Sequence, residues 1–121
     1  MRWNKENKQK IKSLLKDYNL IKSQIISIEI DLKYEENKKS IKNLKEVKAY
    51  KEELLLSIDN AFKCMNEIEQ QVLKLRYLSD EIKTWKEIGV LLKRSPDYLR
   101  QAVFNKCLIK ICNNLNVEIY I

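Results

Sequence analysis

Histidine is absent from this 121-residue chain, and glycine and proline occur once each, as Gly89 and Pro96. Without imidazole the chain lacks the commonest general base and the commonest transition-metal ligand. There is no glycine-rich phosphate loop and no Ser–His or Cys–His pair, and the carboxylates are scattered among helix caps and lysines, so no enzyme is expected. One glycine and one proline are too few for turn-rich β architectures, which leaves an all-α fold. Cysteine is scarce too. Cys64, Cys107 and Cys112 make an odd set, and the spacing from Cys107 to Cys112 lacks the paired C-x2-C of zinc modules, so neither a metal nor another cofactor is expected. No apolar run approaches the ~20 residues that span a bilayer. The basic start, Met1 to Lys8, is not followed by the apolar stretch of a secretory leader. With its cysteines read as reduced thiols, the chain is expected in the cytoplasm, with no membrane partner.

What is abundant is positive charge. Lys and Arg number 24 against 17 Asp and Glu, a net +7, and such a surplus favours a polyanion such as nucleic acid or an acidic membrane surface. The apolar residues fall into two stripes. Ile11, Leu14, Tyr18, Ile21, Ile25, Ile28 and Leu32 step by three and four in turn, the heptad pattern of a helix with one sticky seam. A single helix over residues 5–33 would be about 40 Å long. After a polar interval, Leu44, Val47, Leu54, Ile58, Ala61 and Met65 repeat the pattern, with Lys51 intruding. The two stripes predict either an antiparallel hairpin or helices zipping with a second chain. A charge in a seam is costly in a hairpin core but serves to fix register between chains, which tilts the expectation towards a homodimer joined by residues 1–64.

From residue 65 the segments shorten and carry capping signals. Asn66 followed by Glu69 predicts a helix start, with Ile68, Val72, Leu73, Leu75 and Tyr77 facing inward and an end near Leu78. Thr84 with Glu87 is a capping box. Ser95 before Pro96, with Asp97 at the positive end of the helix dipole, begins a last helix to about Cys112. Ile88, Gly89, Leu92, Leu99 and Ala102 fall where two crossing helices need apolar or small residues. Glycine inside a helix costs about 1 kcal/mol against alanine, and close approach of the second helix is a reason for it. Lys93 and Arg94 stand where such a unit usually has glycine and an apolar turn residue. The tail, 113–121, ends in an alternating run from Val117 to Ile121 that suits a short strand or a loose end.

Three spaced blocks carry a resemblance. Glu69, Val72, Leu73, Leu75, Arg76 and Tyr77, then Thr84, Trp85, Glu87, Ile88 and Gly89, then Ser95, Leu99, Arg100 and Gln101 are similar to region four of bacterial sigma factors. The closing A-L-x-K-L of that pattern matches Cys107 to Ile111 only after a one-residue insertion. A helical arm before such a unit resembles, in architecture, phage late-gene transcriptional activators of the RinA and ArpU type. The resemblance implies a helix-turn-helix domain over 65–112 whose last helix lies in the major groove of DNA. It implies that Asp97, Arg100, Gln101 and Asn105 face base edges, where Arg suits guanine, Gln and Asn suit adenine, and Asp suits cytosine. Arg76, Thr84, Lys86, Lys93 and Arg94 would hold phosphates. Five bases and one acid between Lys93 and Lys110 fit that implication. The leading expectation is therefore a sequence-specific DNA-binding transcription regulator, with double-stranded DNA and RNA polymerase as partners. A small terminase-like packaging protein and a protein-interaction module without DNA affinity are the alternatives.

Overall fold

The structure, a computed structural model, describes residues 1–120. It is all-helical, with no strand among the described residues. Helix α1 spans Lys5–Lys16, α2 Tyr18–Tyr34 and α3 Lys38–Lys63. Helix α4 runs from Glu67–Leu73 into a wide π turn at Lys74–Leu78, and α5 spans Trp85–Leu92. Helix α6 comprises Pro96–Tyr98, a second π turn at Leu99–Val103, and Phe104–Asn114.

The continuous helix expected over 5–33 breaks at Asp17, whose N–H is shared between the Ser13 and Leu14 carbonyls at 3.1 and 3.2 Å. Both halves use the one apolar stripe, but on different neighbours: α1 packs against the second half of α6, and α2 packs against α3. Aspartate is a poor residue for a helix interior, so the bend falls there at small cost. The hairpin expected as one of two options is the one observed, closed by residues 35–37. Asn37 caps α3, its side chain accepting from the N–H groups of Lys39 and Ser40 at 2.9 and 3.1 Å. Lys51 is answered within the chain, donating to Gln24 Oε1 at 2.8 Å, and Tyr18 donates to Asp59 at 3.3 Å. Of the seam residues, Ile21, Ile28, Leu54 and Ile58 are buried within the chain, while Val47 stays exposed.

One apolar cluster runs across the division expected at residue 64. It joins Ile11, Leu14 and Leu15 of α1, Leu54 and Ile58 of α3, Val72 and Leu73 of α4, and Leu108 and Ile111 of α6. Each such side chain, wholly removed from water, contributes on the order of 2 kcal/mol. The tail is neither strand nor loose end over the residues described. Leu115 and Ile119 are buried, and the Tyr50 hydroxyl donates to the Glu118 carbonyl at 2.6 Å while accepting from Tyr120 N–H at 2.9 Å. Ile121, the last residue of the alternating run, lies outside the described residues.

Candidate nucleic-acid interface

The sequence places three caps at the α4–α6 end, and the geometry of each follows from it. Asn66 and Glu69 cap α4 reciprocally, at 3.0 and 2.9 Å. Thr84 and Glu87 do the same for α5, at 3.2 and 3.1 Å. The Ser95 hydroxyl accepts from Tyr98 N–H at 3.4 Å, with Pro96 at the first helical position. Between α5 and α6 the chain turns in three residues. A Cβ at Gly89 would meet Pro96 Cγ at 2.8 Å and the Arg94 carbonyl oxygen at 2.9 Å, so only glycine admits α6 at this distance. Lys93 closes the turn at φ 55°, a left-handed conformation that costs a side-chain-bearing residue about 1–2 kcal/mol. This is where the sequence has lysine in place of the usual glycine, and the lysine takes the strained conformation.

Helix α6 is divided along its length. From Phe104 onward it is held in the core by Phe104, Cys107, Leu108, Ile111 and Cys112. From Pro96 through the π turn only Leu99 and Val103 are buried, and Asp97, Tyr98, Arg100 and Gln101 are exposed. Arg100 Nη2 lies 3.3 Å from Asp97 Oδ1, an exposed pair that water competes with, so the guanidinium can be recruited by another acceptor. Asn105, one turn beyond, is half-buried.

Arg100, Gln101, Asn105 and Arg76 line one groove of about 680 Å³, and its opposite wall is α1: Lys8, Gln9, Lys12, Ser13 and Lys16. The two helices run antiparallel, since Cys112 Sγ near the end of α6 donates to the Met1 carbonyl at 3.3 Å while the middle of α1 faces Arg100 and Gln101. The groove is lined by five cationic side chains and no acidic one. Partial burial, together with the charges of Lys8, Lys16 and Arg100, lowers the pKa of Lys12.

The remaining expected phosphate ligands are dispersed. Arg76 reaches the groove, but its Nη1 donates to the Lys83 carbonyl at 2.9 Å and its guanidinium lies 5.4 Å from the Trp85 ring centre, so it also clamps the loop before α5. The Thr84 hydroxyl is engaged by Glu87 at 3.0 Å. Lys86, Lys93 and Arg94 are exposed; Arg94 flanks a separate depression beside the start of α4, with Asn66, Glu67 and Gln71. Lys110, counted among the free positive charges of this segment, is not free. It donates to Glu69 Oε1 at 2.6 Å, and Glu69 is 1% exposed. Burial alone would raise the Glu69 carboxyl, but the Lys110 ammonium, the Asn66 N–H and the charge of Lys106 outweigh it and hold the pKa below the usual carboxylate range.

The groove's aromatic rings are spent on one another. Tyr77 stacks on Phe104 at 5.4 Å and Trp85 tilts against Phe104 at 5.3 Å. All three cysteines are free thiols, Cys64 exposed and the others buried. Burial pushes the Cys107 thiol up to about 12, which leaves it unreactive at neutral pH. Among the described residues no three Cys, Asp or Glu side chains gather as a metal site, and no helix is long and apolar enough to cross a membrane.

What reading the sequence missed is the contribution of α1. Lys8, Lys12 and Lys16 recur every fourth residue, along the edge of the stripe formed by Ile11, Leu14 and Leu15. That signal is visible, but on an isolated helix it is the same as that of any solvated face. No protein-family model, curated protein or solved structure matches this chain.

Proposed function

We propose that this chain is a sequence-specific double-stranded DNA-binding transcription regulator in which α5 and α6 form a helix-turn-helix and the start of α6 reads the major groove. The observation that carries the reading is the division of α6: one half is fixed in the core, and the other presents Asp97, Arg100 and Gln101 to solvent. A site with such a rigid base positions its reading groups without further ordering. The caps at Thr84 and Ser95 and the contact of Gly89 with Pro96 support the resemblance to sigma region four. So does the wide turn at Leu99–Val103, where Phe104 N–H bonds the Leu99 carbonyl. A π turn spans one residue more than an α turn, which accounts for the one-residue insertion between Gln101 and Cys107.

The internal stacking of Tyr77, Trp85 and Phe104 favours a duplex over single strands, which are gripped by exposed aromatic faces. RNA polymerase as a second partner, and a phage setting, rest on the resemblance alone. The exposed apolar side chains open to a homodimer through the hairpin include Ile26, Ile30, Tyr34 and Val47.

Selection of duplexes from a random pool, followed by binding measurements on variants, tests the proposal. Arg100→Ala is expected to weaken the selected duplex by about 1–3 kcal/mol and relax base preference at one position, while Lys93→Ala weakens all duplexes alike. Parent-like binding by both variants would overturn the groove assignment. A ring of many subunits in sedimentation would instead favour the packaging reading.

A further inference from the structure

We propose that α1 is a phosphate rail: Lys8, Lys12 and Lys16 grip the sugar-phosphate backbone of the same DNA duplex whose base edges α6 reads. The inference rests on the DNA-binding reading of α6 and adds to it a second helix, outside the 65–112 unit.

The three ammonium groups stand across one groove from Arg100 and Gln101. None has a carboxylate within 4.0 Å among the described residues, whereas Lys10 on the same helix is paired with Glu6 at 3.6 Å. The stripe cannot rotate away, because the adjoining face of α1, with Ile11, Leu14 and Leu15, is 0–1% exposed. From Lys8 to Lys16 the helix rises about 12 Å, and one DNA strand carries a phosphate every ~3.4 Å of axis, so the stripe spans about three to four phosphate steps, enough for each ammonium to meet a phosphate of its own. Partial burial lowers the basicity of Lys12 most, and the like charges of Lys8, Lys16 and Arg100 lower it further by repulsion. A polyanion relieves that repulsion, and a duplex offers phosphates and base edges together.

The test uses the full chain, a selected duplex and a scrambled duplex of equal length, with affinity read by fluorescence anisotropy between 50 and 200 mM salt. In the variant Lys8→Gln/Lys12→Gln/Lys16→Gln, the slope of log affinity against log salt is expected to become shallower by about 2.7, at about 0.9 for each phosphate no longer neutralised. Both duplexes should lose affinity to the same degree, leaving base preference intact. Lys12→Gln alone should remove about a third of that slope change. Lys42→Gln/Lys45→Gln on α3 should keep the parent slope. Circular dichroism checks that the helices persist in each variant.

A triple variant that binds with the parent's slope overturns the rail and leaves the reading of α6 standing. A parent chain that binds neither duplex, or prefers a single-stranded oligonucleotide, overturns both.

Discussion

The α2–α3 hairpin and the α4–α6 end are built from similar residues and manage them in opposite ways. Residues 18–63 hold nine lysines against eight acids, so six of the seven net positive charges lie elsewhere. The hairpin's ions find local answers: Lys48 sits 3.5 Å from Glu29 and 3.4 Å from Glu52, all partly exposed. Its turn is capped by Asn37 without positive φ. The α4–α6 end carries a buried carboxylate, a lysine in left-handed conformation, a glycine crossing, two π turns and a cationic groove with no acid in its lining. Local costs of this kind are often found at functional sites, and in this fold they gather at the end proposed to bind DNA. The difference lies in how the charges are placed, since lysine count alone would have pointed to the hairpin.

The comparison breaks most easily at its two best-defined ion pairs. Lys110→Ala strands the buried Glu69 carboxylate and is expected to destabilise the fold by about 2–3 kcal/mol in urea unfolding, at the low end for a buried pair because Lys110 is partly exposed. Lys48→Ala should cost under about 0.5 kcal/mol, as exposed pairs do. Equal effects would erase the distinction. Acid sharpens the same contrast. Folding lowers the Glu69 pKa, so its contribution is complete above the unfolded carboxyl's ~4.3 and fades as pH falls through the lower folded value. Unfolding midpoints measured downward from pH 5 should decline in the parent, and less so in Lys110→Ala.

The crossing comes next. Gly89→Ala forces Pro96 and the Arg94 carbonyl outward and is expected to cost about 1–3 kcal/mol by overpacking, with duplex affinity falling further than stability because the start of α6 moves. The last effect has the opposite sign. Lys93→Gly releases a left-handed side chain and should gain about 1 kcal/mol, while weakening duplex binding if Lys93 holds a phosphate as proposed.

The parts of this fold legible in the sequence are those set within a few residues. Asn66 with Glu69, Thr84 with Glu87, and Ser95 with Pro96 are caps whose partners lie within three positions, and all three form. Gly89 was legible because an otherwise costly residue needed a reason. The break at Asp17 was not legible, because the same three-four stripe serves a coiled coil, a hairpin or a fold-back onto another helix. Which neighbour covers it is decided by shape over the whole chain. The groove follows from that fold-back: Arg100 and Gln101 could be named from their own helix, but Lys8, Lys12 and Lys16 join them only once α1 lies antiparallel to α6. Lys110 misled for the same reason, its partner Glu69 being 41 positions away.

The phenol of Tyr50, set midway along α3, holds the main chain at Glu118 and Tyr120, and its ring lies tilted 5.8 Å from that of Tyr120. The segment it grips continues directly from the anchored half of α6. The projecting arm is therefore braced like a strut rather than hung from a single joint, and a sideways load at its tip is passed to the base of α6.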